Sequence, residues 1–356
     1  DRQECGVPTS PASNNPHTRA QPRRALVTGG AGFIGSHLVG LLLARGDRVT
    51  VVDNLSTGRL SNLPLNADGA GHVNLRFIRA DLSHALAQFG PADRFDEIYH
   101  LAAAVGVRRV IERPIESIET NVLETAALLR FAVAHAESGH PLPATLVASS
   151  SEVYGKSAKS PFSEEDDCVY GPTTALRWSY ACSKALDEYL ALAHHAQRGL
   201  PVVVVRFFNT VGPRQVGDYG MVLPNFVSAV LDGRPPEVYG DGTQTRCFCD
   251  VRDVAPALPR LLERPECHGR VFNLGSDQPI SILDLARRVG EALNSPIEPR
   301  LAPYDRAYAP GFEDLQQRRP DLSRVRSAIG FEPTIALEQT IRDIAADLAH
   351  HRQAVR

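Results

Sequence analysis

Tyr180 and Lys184 fall four residues apart in the run Arg177–Lys184 (RWSYACSK), a spacing that puts a phenol and an amine one turn apart on one helix face. An ammonium beside a phenol favours the phenolate, drawing a pKa of about 10 towards the range where a general base is useful. The plain alternative is an accidental Tyr/Lys pair on a solvated helix. Composition weighs against it: of 38 Lys and Arg residues only three are Lys (Lys156, Lys159 and Lys184). Just upstream, Thr145–Gly155 (TLVASSSEVYG) reads as a buried strand ending in the hydroxyls of Ser149, Ser150 and Ser151 and the carboxylate of Glu152.

The elements that must position these groups alternate in kind. Arg24–Thr28 reads as a short apolar strand, followed at once by Gly29, Gly32 and Gly35 in a Gly-x-x-Gly-x-x-Gly turn and the helical run 36–45. Glycines let a backbone turn sharply and approach a pyrophosphate, which the helix N-terminus stabilises. A second strand, Arg48–Asp53, ends in an acid that can accept from both ribose hydroxyls of NAD and would repel the 2′-phosphate of NADP. Asp81 and Leu82, after a strand over 73–79, are placed to reach an adenine edge. A fourth strand over 96–101 leads into the small-residue loop Ala102–Gly106, which leaves room for ribose and nicotinamide. Helices are expected over 115–136 and from Tyr180 to about His195, and Pro201–Phe207 reads as a sixth, nearly continuous apolar strand of the kind buried in a parallel sheet. The expected fold is α/β, a doubly wound parallel (Rossmann) sheet with its chemistry outside the strands' carboxyl ends.

From Asn209 the rhythm breaks. Loop-like runs, a short helix over 225–232 and a turn at 237–246 suggest a smaller, mixed α/β C-terminal lobe that closes over a substrate. Residues 246–251 and 271–274 are expected to return as strands of the first sheet. The expected division is an NAD-binding domain of residues 23–209 plus 246–275 and a substrate lobe of 210–245 plus 276–350. Residues 1–22, rich in Pro, Ser, Asn and Thr, read as a disordered extension without the apolar region of a signal peptide.

The bulk numbers exclude some classes. A net charge of -3 gives no electrostatic footprint for nucleic acid or an anionic membrane, and no apolar run approaches the ~20 residues that span a bilayer. The six Cys lack zinc-ligand spacing, so no metal is expected, and free thiols suit a reducing cytoplasm. Cys247 and Cys249 read as core thiols of one strand. With NAD bound, Tyr180 as base, Lys184 as its modulator and Ser150 or Ser151 on the developing oxyanion form a device for taking a hydride from a secondary alcohol. Asn121 either sustains a proton-relay water through a helix kink or lies on a solvated face.

Several motifs together resemble the extended short-chain dehydrogenase/reductases that act on nucleotide sugars: Thr28–Gly35 (TGGAGFIG), Asp53–Gly58 (DNLSTG), Ser150–Gly155 (SSEVYG), Tyr180-x-x-x-Lys184 and Tyr239–Gly242 (YGDG). Within that superfamily, Gly171-Pro172, Leu176–Tyr180 and Gly311–Asp321 (GFEDLQQRRPD) are most similar to the UDP-glucuronate decarboxylases, or UDP-xylose synthases. The resemblance implies an NAD site that also includes Phe33, Ile34, Asn54, Ser56, Thr57, Gly58, Leu101, Ala103, Asn121, Tyr180 and Lys184. It implies that Ser151 and Glu152 flank the sugar, with Glu152 as acid/base or ring-positioning group, and that Arg318 meets the substrate carboxylate. Arg177, Asn209 and Arg246 would hold the diphosphate. Val105, Val222, Glu237, Tyr239, Gln244 and Phe312 would complete the UDP-sugar contacts, Phe312 standing where a decarboxylase relative has Tyr. The helices near 115–136 and 180–196 resemble the pair that forms a four-helix homodimer interface in the superfamily.

The expected reaction is decarboxylation of UDP-glucuronate to UDP-xylose. Oxidising C4 of a uronate places the C6 carboxylate β to a ketone, so CO2 can leave through an enolate without a metal. Three rivals stand beside it. A UDP-hexose 4-epimerase needs neither Glu152 nor Arg318; a 4,6-dehydratase calls for an Asp-Glu pair where this chain has Ser151-Glu152; and a catalytically silent NAD-binding regulator would have no need of Ser, Tyr and Lys together.

Overall fold

The computed structural model describes residues 21–64, 71–90, 92–104, 112–137, 139–217, 221–303 and 316–354. Strands and helices alternate first: β1 (Arg24–Thr28), α1 (Phe33–Arg45), β2 (Arg48–Val52), β3 (Leu75–Ile78), α2 (Leu82–Leu86), β4 (Glu97–His100), α3 (Pro114–Glu137), β5 (Ala144–Ser150), α4 (Ser179–Arg198) and β6 (Val202–Phe207). Shorter elements follow: β7 (Thr210–Val211), α5 (Val222–Leu231), β8 (Glu237–Tyr239), β9 (Thr245–Cys247), β10 (Cys249–Asp250), α6 (Val251–Leu262), β11 (Arg270–Leu274) and β12 (Pro279–Ser281). The chain ends in α7 (Ile282–Ala292), β13 (Arg300–Ala302), β14 (Gln317–Arg318), α8 (Ser323–Ile329) and α9 (Leu337–Ala354).

Seven strands pair in parallel in the order β11-β6-β5-β4-β1-β2-β3. Valines explain the two-sided burial. Val203 and Val205 join a core with Val27, Leu38 and Leu258, while Val202 and Val204 join another with Leu26, Leu128 and Ala191. Alternate side chains thus bury on opposite faces, and helices cover both, as a parallel sheet requires. The strand order reverses between β1 and β4, the crevice where such sheets bind ligands. A third core, made from α5, β8, α7 and α9 through Phe226, Val238, Leu285 and Ile344, lies in the C-terminal part of the chain.

Residues 246–251 do not return to the large sheet as expected. Arg246 and Cys247 belong to β9, which pairs antiparallel with β12 and parallel with β14, and Cys249 belongs to β10, which pairs with β7. Only β11 goes back, at the edge beside β6. The two thiols therefore sit in different small sheets, though both are buried. The run ends where Asp250 accepts from Arg252 N and caps α6 at its first turn. That helix contains Pro256 and Pro259, each without a backbone donor. Val251, Val254, Ala255, Leu258, Leu261 and Leu262 nevertheless bury a continuous helical face, and packing overrides the proline cost.

Candidate active site

The carboxyl ends of the strands open onto one cleft of about 1950 Å³. On its cofactor side, Gly29 takes a left-handed φ of +69°, and a Cβ there would come 2.8 Å from Ala102 N. A Cβ on Gly35 would fall 2.2 Å from Gly29 O, so only glycine lets the turn fold back on itself. The first turn of α1 has no side-chain cap, and its free N–H groups meet the cleft. Asp53 is held by Ala31 N on one oxygen (2.9 Å) and Leu55 N on the other (2.8 Å). Burial pushes its carboxyl up from the ordinary value against those hydrogen bonds. Gly58 packs beside it: a Cβ would lie 3.0 Å from either Asp53 oxygen. Asn54 donates to Asp81 at 2.8 Å. Gly32, Phe33, Ile34, Ser56, Thr57, Leu82, Leu101 and Ala103 also line the cleft. A glycine turn, an open helix end and a fixed acid ending β2 fit a dinucleotide.

Asn121 is not on a solvated face. It is buried, α3 runs through it without a break, and it is not on the cleft wall. Its Oδ1 accepts from Ala104 N (2.9 Å) and its Nδ2 donates to Ser183 (3.1 Å). The side chain pins the Ala102–Ala104 loop to α4 from behind.

On the sugar side, β5 ends at Ser150 and a tight turn over Ser151–Tyr154 follows, with Ser150 Oγ accepting from Glu152 N. Tyr180 and Lys184 enter from the first turns of α4, and Ser150 hydrogen-bonds the phenol. Lys184 has a partner that the spacing from Tyr180 did not point to. Its Nζ donates to Asp187 at 2.6 Å, both groups buried. The Tyr180 phenol is instead held above its ordinary value, first by burial and then by the Glu152 charge, with Ser150 and Arg318 opposing.

Glu152 lies between two arginines: Arg177 Nη2 is 2.7 Å from one oxygen and Arg318 Nη2 2.7 Å from the other. Burial pushes the carboxyl up, but Arg318 and Arg177 outweigh it and hold it down to about 2. Arg318 arrives on β14, in register with Arg246 on β9. The backbone just beyond it is fastened by Phe162 N to Arg319 O and Asp321 N to Phe162 O. Arg177 lies over the ring of Trp178, the one Trp in the chain. Asn209, Val222, Glu237, Tyr239, Gln244 and Arg246 all line this half of the cleft, Glu237 paired with Arg300. Val105 and Phe312 lie outside the described residues.

Sequence reasoning passed over the supports behind the wall. Glu188 pairs bidentately with Arg206 (2.9 and 2.7 Å) and also accepts from Ser149. Asp187, Thr125 and His100 form a buried polar chain behind Lys184. Acids three and four residues past Lys184 were the available signal. Among the described residues no cluster could hold a metal, and no helix is long and apolar enough to cross a membrane.

A dinucleotide cradle facing a Ser, a Tyr and a buried Lys defines an NAD-dependent enzyme of the doubly wound α/β class. Residues 25–275 match the NAD dependent epimerase/dehydratase family, and the chain belongs to it, with NAD as its cofactor. It is 37% identical to a UDP-N-acetyl-alpha-D-glucosaminuronate decarboxylase of Bacillus cytotoxicus over 90% of this chain and 96% of that one. It is 36% identical to UDP-glucuronic acid decarboxylase 4 of Arabidopsis thaliana, over 89% of this chain and 66% of that one. A UDP-glucose 4-epimerase of Thermus thermophilus, solved with NAD, superposes with a TM-score of 0.76 at 29% identity, covering 92% of this chain and 99% of that one.

Proposed function

We propose that this chain decarboxylates a UDP-linked uronate, UDP-glucuronate to UDP-xylose, through a 4-keto intermediate. The observation that carries the reading is the Arg318 guanidinium, which β14 brings to the Ser150–Glu152 turn beside Tyr180. A C6 carboxylate lying over the redox pair needs such a partner. The names of the Bacillus and Arabidopsis relatives support it.

NAD, when bound, takes a hydride from C4 and later returns it. Tyr180 takes the C4 hydroxyl proton, and Ser150 or Ser151 donates to the developing oxyanion. With C4 a ketone, the C5–C6 bond breaks, CO2 leaves, and the electron pair enters a C4–C5 enolate. A proton from water, relayed by the released Glu152, reaches C5, C4 becomes a carbinol again, and Tyr180 gives its proton back to the oxygen. Because Glu152 holds Arg318 in the free protein, the substrate carboxylate must displace it. The released Glu152 is then no longer clamped on both oxygens and can serve the ring as acid/base group. Arg177, Asn209 and Arg246 hold the diphosphate, and the 237–246 turn takes the uridine; their common place on the cleft wall supports this. In this reading residues 210–245 and 276–350 are the substrate lobe, and 23–209 with 246–275 hold NAD.

The chain acts as a homodimer in the cytoplasm. Supporting the first is a row of exposed apolar side chains on the packed pair α3 and α4: Ile115, Ile118, Leu123, Leu186 and Tyr189. Supporting the second, five cysteines among the described residues are free thiols.

The test is CO2 release from UDP-glucuronate with NAD. No CO2, with UDP-glucose turned into UDP-galactose, makes the chain an epimerase like its Thermus neighbour. The Bacillus relative's name favours one second reading, a 2-acetamido uronate as substrate. CO2 from that sugar and none from UDP-glucuronate would replace the first.

A further inference from the structure

Lys184 is 2% exposed and Asp187 is fully buried, and the two meet at 2.6 Å within α4. Asp187 does not reach the cleft wall; it stands behind Lys184, which does. A chain of hydrogen bonds behind the pair runs from Thr125 to the Ala102 loop. Thr125 on α3 opposes the rise that burial imposes on the Asp187 carboxyl. Its Oγ1 lies 3.0 Å from His100 Nε2, and His100 Nδ1 lies 2.8 Å from Thr28 Oγ1. Ala102 N donates to that same Thr28 oxygen at 3.1 Å.

Ala102 N–H can only donate, so Thr28 Oγ1 accepts there. Burial and then the Lys184 charge hold His100 down to about 3, so the ring is neutral.

We infer that Asp187 is a positioning residue, the fixed counter-ion that holds the buried Lys184 ammonium in place on the cleft wall. A buried ammonium without a partner gives up its proton. Other charged groups face this one. Tyr180 and Glu188 share α4, His100 ends β4, and Glu152 and Arg318 lie beyond Tyr180. Glu188 is already committed to Arg206. Among the described residues, no other carboxylate comes within ion-pair distance of Lys184.

The role bears on catalysis through the reading of Tyr180 and Lys184 as the redox pair, but its test needs no turnover. Thermal unfolding of the full chain with NAD is followed across a series of pH values. Asp187→Asn lowers Tm at neutral pH, and the deficit narrows as pH rises. The sign follows from linkage: a stripped Lys184 titrates below the unfolded value of about 10.4, so the unfolded chain binds more protons in that window and stability climbs with pH. Asp187→Glu restores most of the loss, and Lys184→Met with Asp187→Asn removes the pH dependence. A deficit equal at every pH, or one whose pH dependence survives in the double variant, overturns the inference. If Asp187→Asn does not fold, the double variant must; its failure also overturns it. A wild-type chain that turned over no UDP-sugar would strike the proposed function and leave this result standing.

Discussion

Arg318 Nη2 lies 2.7 Å from Glu152 Oε1 across the sugar side of the cleft, joining residues 166 positions apart in sequence. The pair places a cation and an acid beside Tyr180, and on the proposed reading an incoming carboxylate exchanges with Glu152 for the same guanidinium. Replacing Arg318 with Ala should therefore cut CO2 release about 100-fold, the scale of losing one aimed charge in a closed site. The first hydride transfer, followed by nicotinamide absorbance, should fall much less. Equal losses would place Arg318 outside the decarboxylation step. Trp178, stacked on Arg177, reports binding in the same experiment through its fluorescence.

Tyr180→Phe removes the proton acceptor and leaves the ring in place. Hydride transfer should fall by about 100- to 10,000-fold, while the dissociation constant for NAD, measured calorimetrically, stays within error. Weaker NAD binding would mean that Tyr180 shapes the cradle.

Glu152 gives the protein an acid-sensitive contact. Its carboxyl is held down to about 2 against an ordinary 4.5. Its contribution is thus complete above the unfolded value and is lost as pH falls through the folded one. Unfolding of the wild type should lose stability across that window, and Glu152→Gln should lose less there. At neutral pH the variant should be about 3 kcal/mol less stable, because two buried arginines lose their partner. A superimposable acid profile for the two proteins would show the clamp is not formed in solution.

Asp53 holds Ala31 N and Leu55 N and, on the proposed reading, also faces the ribose. Asp53→Ala should weaken NAD about tenfold or more, on the scale of about 1.5–3 kcal/mol for a hydrogen bond to a charged group. It should also narrow the preference for NAD over NADP. An unchanged preference would mean that Asp53 only braces the glycine turn.

Leu123 on α3 and Tyr189 on α4 are 60% and 71% exposed. Leu123→Glu with Tyr189→Glu should convert a dimer to a monomer in sedimentation. A wild type that is already monomeric would refute the interface.

The sequence by itself determined the doubly wound core. Valines at period two, the glycine turn after β1 and the acid ending β2 are local patterns, and backbone sterics and burial let each take only one form. It also placed Ser150, Tyr180 and Lys184 at the ends of elements that face one crevice. Tertiary structure decided how their charges are paired. Spacing on α4 put Lys184 within reach of both Tyr180 and Asp187, and the fold pairs it with the buried carboxylate, while burial and the Glu152 charge raise the Tyr180 phenol. Likewise, no local pattern could show that Glu152 lies between Arg177 and Arg318, because β14 reaches it only by pairing with β9. The helix through Pro256 and Pro259 and the diversion of residues 246–250 into small sheets have the same cause. Their energies come from neighbours distant in sequence, which outweigh local preference once the faces are buried.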